Sequence, residues 1–158
     1  MASMVNPMNA LMSLQTEIFN GIPLRSCAAH PSLKMFYDQP NGRPRFTFAK
    51  VESQLIKAFA VVAITETIQS LPCVNLGYAV PPEYRQQGLG TEIVKLSINE
   101  LKAEFKRNGV NEFYVEAVVG VQNIASQRLA AKLLSANFEK IKDDVSGEDA
   151  YYYCLKVQ

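Results

Sequence analysis

The stretch that most restricts this chain is GYAVPPEYRQQGLGTEIV, residues 77–94. An apolar, strand-like run ends at Pro81-Pro82, and a polar loop holding Gly88 and Gly90 opens directly into a helical pattern. Glycines let the backbone approach a ligand closely and turn its amides outward. The start of a helix adds unpaired N–H groups and the positive end of its dipole. Together these features suit a pyrophosphate, and Arg85 at the mouth adds charge.

Three readings compete for this loop. A nucleoside-triphosphate P-loop needs GxxxxGK[ST], and no Lys-Ser or Lys-Thr follows these glycines. A dinucleotide fingerprint needs GxGxxG after the first strand of a βαβ unit, yet Ile93 holds the third position and the preceding strands read as hairpins. The third reading is a glycine-rich helix start that binds nothing.

The surrounding pattern is that of one α+β domain. At 158 residues the chain fits a single domain, with 1–44 as a helical and loop part and 45–158 as the core. Pro7 to Phe19 places Leu11, Leu14 and Ile18 on one helix face, and PSLKMFYDQPNGRPR, with three prolines, reads as loop and turn. FTFAKVE alternates as a half-buried strand, Ser53-Gln54 turns it, and Ile56 to Thr67 reads as a central strand. CVNLGYAV (73–80) makes a third antiparallel strand. A long helix starts at Leu89, carries Ile93, Ser97, Leu101 and Phe105 at four-residue intervals, and stops at Asn108-Gly109. FYVEAVVGV (113–121) follows as a strand buried on both faces, then a helix from Asn123 to Ser135. FEKIKD, the acidic turn DDVSGED and AYYYCLKV close the chain as a hairpin.

Composition excludes several classes. A net charge of +1 gives no bulk electrostatic case for nucleic acid or an anionic membrane. The longest apolar run, Ala58 to Ile64, falls far short of the ~20 residues a spanning helix needs. The N-terminus lacks a basic start followed by an apolar block, so no signal peptide is expected. Cys27, Cys73 and Cys154 are widely spaced and His30 is the lone histidine, which leaves little for a zinc site or a histidine-dependent hydrolase. These counts fit a reducing cytoplasm.

The loop resembles motif A of the GNAT superfamily of N-acetyltransferases, [R/Q]xxGx[G/A], here Arg85-Gln86-Gln87-Gly88-Leu89-Gly90. LGYAVPPEYR is similar to the strand and turn before that loop in the subgroup acetylating ribosomal-protein N-termini, and YVEAVVGVQNIASQRLAAKL is similar to its motif B. The resemblance implies a mixed, mostly antiparallel sheet flanked by helices in three α/β/α layers, with a splayed central strand pair that admits acetyl-coenzyme A as cosubstrate. The backbone of Tyr78, Ala79 and Val80 is then expected to pair with the pantetheine arm, an N–H there polarising the acetyl carbonyl. The amides of Gln86, Gln87, Gly88, Leu89, Gly90 and Thr91 are expected on the pyrophosphate, and Arg128 is a candidate for the 3′-phosphate. Asn123 and Ser126 match NxxS, whose serine hydroxyl is the candidate donor to the departing thiolate sulfur, and Glu116 is the candidate base.

The chain departs from its relatives in three places. Many carry a tyrosine acid seven residues after the asparagine, where Ala130 stands. Where relatives end this helix in Gly-Phe, this chain has LLSANF, and Val74 and Asn75 replace a glutamate before the loop, leaving Glu66 as a weaker alternative base. The expected reaction is direct attack of a primary amine, on a small molecule or a peptide, within a ternary complex. The acidic turn Asp143, Asp144, Glu148 and Asp149 has the charge to attract such an amine. The rival expectation is a catalytically idle coenzyme A-binding module. No metal, nucleic-acid or membrane partner is expected, and a homodimer stays open.

Overall fold

The computed structural model describes residues 6–158, so the first five positions of the expected 1–44 part lie outside it. Helix α1 (Pro7–Phe19) begins where the Asn6 side chain accepts the Met8 amide at 3.0 Å and Pro7 fills the first helical position. Its buried stripe is the expected Leu11, Leu14 and Ile18.

The next segment differs from expectation. Rather than loop, it holds β1 (Arg25–Ser26) and β2 (Leu33–Asp38), and β2 runs antiparallel to β3 (Arg45–Glu52) from Leu33↔Lys50 to Asp38↔Arg45. The prolines that suggest loop all sit outside the strands: Pro31 before β2, Pro40 in the turn Pro40–Gly42, where Asn41 and Gly42 take positive φ, and Pro44 just ahead of β3. The Arg45 guanidinium grips the Asp38 carboxylate across the hairpin mouth, a charge-assisted pair that a sequence separation of seven residues conceals.

From β3 onward the chain follows the expected order. Ser53 and Gln54, both at positive φ, make the two-residue turn into β4 (Leu55–Ile64). That strand stops three residues earlier than its apolar run suggests, and Gln69 and Ser70, again at positive φ, turn the chain toward β5 (Cys73–Ala79). Helix α2 (Leu89–Arg107), β6 (Phe113–Gly120), α3 (Ile124–Leu133), β7 (Glu139–Lys142) and β8 (Asp149–Val157) complete it.

The strands form one sheet in the order β1-β2-β3-β4-β5-β6-β8-β7. Its one parallel junction, β5 with β6, spans Cys73↔Tyr114, Val74↔Val115 and Asn75↔Glu116 only. Beyond Asn75 and Glu116 the two strands part, as expected of the splayed pair. Their neighbours stay paired, β5 with β4 out to Ala79 and β6 with β8 out to Gly120. The opening is therefore a wedge inside the sheet, not a frayed end.

Helices cover both faces. Alternation along β4 sends Ala58, Ala60 and Val62 into the core beneath α2 and α3, and Phe59 and Val61 toward α1. Strand β6 departs from the expected burial on both faces. Phe113, Val115, Ala117 and Val119 are buried, and Tyr114, Glu116 and Val118 only half-buried. The reason is that α1 crosses β4 and β5 and leaves the same face of β6 uncovered.

Gly77 fixes where α1 rests, because a Cβ there would stand 3.1 Å from Pro7 Cγ and 3.3 Å from Val61 Cγ1. Gly77→Val is expected to lift the start of α1 and to lower stability by about 1–3 kcal/mol, the usual range for overpacking. A urea-unfolding midpoint equal to wild type would show that α1 does not seat on β5.

Candidate active site

The glycine loop leaves β5 through Val80 and the buried Pro81, makes one short turn at Pro82–Tyr84, and enters α2 at Leu89. Two neighbours hold it from the sheet side. Lys57 Nζ lies 3.8 Å over the Tyr84 ring, and Lys50 pairs with Glu92 in the first turn of α2 at 3.0 Å. Gln86 (φ 64) and Gly88 (φ 76) alternate with residues of ordinary conformation, a pattern that folds successive amides into a concavity suited to an anion. The first i→i−4 bond of α2 runs from Glu92 N to the Gly88 carbonyl, so the preceding amides of Leu89, Gly90 and Thr91 keep their donors free for a ligand.

The two glycines do different work. A Cβ on Gly88 would meet no protein atom within 4 Å, so that side of the loop is open to an incoming group. A Cβ on Gly90 would stand 3.1 Å from Leu129 Cδ1, so Gly90 sets how closely α2 approaches α3. Arg85 does not reach outward with its whole guanidinium. Its Nε donates to the Val80 carbonyl at 2.8 Å and anchors the side chain at the end of β5.

A cavity of about 380 Å³ fills the wedge. Leu76, Gly77 and Tyr78 of β5 form one wall, and Ala117 to Gly120 of β6 the other. Asn6, Pro7 and Asn9 line it on the α1 face, and Asn123 and Ser126 on the α3 face, so it passes through the sheet. Asn123 caps α3, accepting the Ser126 amide at 3.2 Å, and thereby fixes the turn that presents Ser126. The Tyr78 hydroxyl donates to the Ser126 carbonyl at 3.0 Å, and burial raises this phenol above its ordinary value.

The structure brings Tyr78, Asn123 and Ser126 together around the cavity but sets Glu116 at its closed end. Glu116 belongs to the last paired register of β5 and β6, and its Oε2 accepts the Tyr152 hydroxyl at 2.7 Å. The Thr65 hydroxyl stands 3.5 Å from Oε1. Burial, and then the bond to Glu116, push the Tyr152 phenol well above its usual range. No sequence motif marks Tyr152, since only the register of β6 with β8 makes it the diagonal neighbour of Glu116. Arg128 is exposed on α3, and Glu66 is exposed outside the strands.

In the acidic turn, Lys142 pairs with Asp149 at 2.7 Å, and Asp143 accepts the Ser146 amide and hydroxyl, each at 2.9 Å. Glu148 is the member that lines the cavity. Asn6 and Asn9 join it there, a role for the start of α1 that no sequence motif announces. Among the described residues no cluster of His, Cys, Asp and Glu is placed to hold a metal ion. Nor is any helix among them long and apolar enough to cross a membrane. Burial drives the Cys27 and Cys73 thiols up to about 12 and about 11, as small buried hydrophobes rather than reactive thiolates.

Comparison with known proteins gives a consistent answer. No curated protein sequence matches the chain significantly. Among solved structures, an acetyltransferase of the GNAT family from Streptococcus pneumoniae superposes with a TM-score of 0.55 at 14% identity, over 72% of this chain and 67% of that one. The yncA protein from Salmonella typhimurium, solved with its cofactor acetyl-CoA, gives 0.50 at 19% identity over 73% and 65%. RimL, a ribosomal L7/L12 alpha-N-protein acetyltransferase solved with coenzyme A, gives 0.50 at 16% identity over 72% and 62%. The chain thus spans about two thirds of the length of each neighbour. Identities this low speak for the fold alone. The sequence itself goes further: residues 27–133, well over half of the chain, match the acetyltransferase (GNAT) domain, and the chain belongs to the GNAT acetyltransferase family.

Proposed function

We propose that this protein is an acetyl-coenzyme A-dependent N-acetyltransferase that acetylates a primary amine held beside the thioester. The observation that carries this reading is the cavity through the sheet, with an anion-ready glycine loop beside its β5 wall. The arm of the cosubstrate fits between the parted strands, where Tyr78 and Ala79 lack a partner on the β6 side. A main-chain N–H of this stretch faces the acetyl carbonyl and stabilises the negative charge that develops on it. The amides of Gln86 to Thr91 bind the pyrophosphate, with Arg85 and Arg128 adding positive charge.

Most of the acceleration then comes from holding the amine and thioester together. Glu116, set back from the cavity, removes the amine's proton through water, and the Tyr152 hydroxyl holds its carboxylate in place. The Ser126 hydroxyl hydrogen-bonds the sulfur, and Asn123 keeps that turn in position. Glu148, the charged residue lining the cavity, draws a cationic amine to the mouth. The likeness to RimL, a ribosomal L7/L12 alpha-N-protein acetyltransferase, favours a peptide amine over a free small molecule. The protein works in this reading as a single acetyltransferase domain in the cytoplasm.

Calorimetric titration with acetyl-coenzyme A, with NAD as control, tests the reading first. Binding of the former alone supports it, and no binding overturns it. Ser126→Ala is expected to leave the Kd within about twofold while slowing thiol release about tenfold, the worth of one hydrogen bond to a developing charge. An unchanged rate would remove Ser126 from the sulfur. One observation favours an idle coenzyme A-binding module instead: Ala130 is fully buried and brings no acid from α3. Cofactor binding without thiol release on any amine would establish that alternative.

A further inference from the structure

A phenol stands at the first turn of α3 although α3 itself carries none there. Ala130, the helix position where relatives place a tyrosine, is wholly buried. The phenol comes from the neighbouring strand: Tyr78 projects from β5 toward α3, lines the cavity, and donates its hydroxyl hydrogen to the Ser126 carbonyl at 3.0 Å. We propose that Tyr78 is the proton donor to the coenzyme A sulfur during acetyl transfer. The assignment rests on the acetyltransferase reading and moves the proton donation from the Ser126 hydroxyl, which keeps its hydrogen bond to the sulfur, to the phenol beside it.

Three observations support it. Tyr78 belongs to the short stretch whose amides face the acetyl carbonyl in that reading, so its ring is anchored at the reacting end of the arm. Its hydroxyl hydrogen has two in-plane orientations about the C–O bond, so the one now on the Ser126 carbonyl can turn over to the other side without moving the ring. Burial raises the phenol, so it enters each turnover protonated. The same loss of water raises the proton affinity of the developing thiolate, which keeps donor and acceptor matched. An alkyl hydroxyl such as that of Ser126 is far less acidic, which suits it to hydrogen-bonding the sulfur rather than protonating it.

The step balances. As the new N–C bond forms and the C–S bond breaks, sulfur takes the bonding pair and the Tyr78 proton. The proton that Glu116 takes from the acceptor nitrogen then passes through water to refill the phenolate. The net result is one proton moved from amine to thiol.

Tyr78→Phe keeps the ring and removes the proton. With acetyl-coenzyme A and a short peptide bearing a free α-amine as probes, its kcat for thiol release is expected to fall about 100-fold, at the lower end of general acid catalysis. The Kd for acetyl-coenzyme A is expected to stay within about twofold. A fluorinated tyrosine installed at 78, whose phenol is more acidic, is expected to restore most of the rate and to move the alkaline limb of the kcat profile to lower pH. Three results overturn the proposal: a Tyr78→Phe rate equal to wild type, loss of acetyl-coenzyme A affinity in step with rate, or an unshifted alkaline limb in the fluorinated protein. The second would make the hydroxyl a strut for α3. Wild-type protein that neither binds acetyl-coenzyme A nor releases thiol would strike the acetyltransferase reading itself, a separate failure.

Discussion

Gly88→Val is expected to weaken acetyl-coenzyme A binding by at least about 100-fold, through two effects that add. The first is conformational. Gly88 sits at φ 76, where an L-residue costs roughly 1–2 kcal/mol and a β-branched one more. The loop relaxes toward a conformation in which its amides no longer converge. The second is steric, and the clash is with the ligand rather than with the protein. A Cβ at 88 meets nothing within 4 Å, so the new side chain occupies the open side of the loop, where the pyrophosphate is placed. Gly109, just past the C-cap of α2, supplies a matched control. It has φ 81 and equally open surroundings but lies at the far end of the helix. Gly109→Val is expected to cost similar stability and leave the Kd alone. Titration of both variants decides the matter: equal affinities would mean that the Gly88 loop is only a helix start.

The parts of this site that depend on neighbours along the chain are legible in the sequence. Strand, prolyl turn, glycines and amphipathic helix are consecutive, and each leaves a local signature in residues 77–105. Asn123 and Ser126, three apart at a helix start, are equally local. The parts that depend on register are not. Tyr152 meets Glu116 across 36 residues because β8 pairs with β6 from Ala150 to Val157, and nothing within AYYYCLKV says which of three tyrosines faces which way. The start of α1 hides its role for the same reason. Asn6 and Asn9 carry no motif of their own, and become cavity lining only once Pro7 seats on Gly77. Strand β2 escapes because its partner β3 lies across a proline-containing turn, and only the register with β3 seats Leu33 in the core and brings Asp38 to Arg45. The motif around Glu116 likewise points to the right strand but not to its place at the closed end of the wedge, set by where β5 stops pairing.

Phe113→Ala is expected to cost about 3–5 kcal/mol, the usual loss for truncating a buried aromatic. Phe113 is 1% exposed, opens β6, and meets Phe105 of α2 edge-on with ring centroids 4.8 Å apart. It therefore ties the C-terminal turn of α2 to the strand that forms one wall of the wedge. Against a total stability of roughly 5–15 kcal/mol for a domain of this kind, the loss brings the variant near its unfolding threshold. Urea titration should show a lower midpoint at unchanged slope, because the surface exposed on unfolding stays nearly the same. The damage lies at the opposite end of α2 from the glycine loop, so the folded fraction should bind acetyl-coenzyme A with wild-type affinity. Binding to the native state alone then recovers stability by mass action, about 2.7 kcal/mol at a ligand concentration 100 times the Kd. A loss below about 1 kcal/mol would show that the aromatic pair is not packed as described. A midpoint that acetyl-coenzyme A does not raise would instead place the fault in the ligand, and this double readout separates the fold from the function built on it.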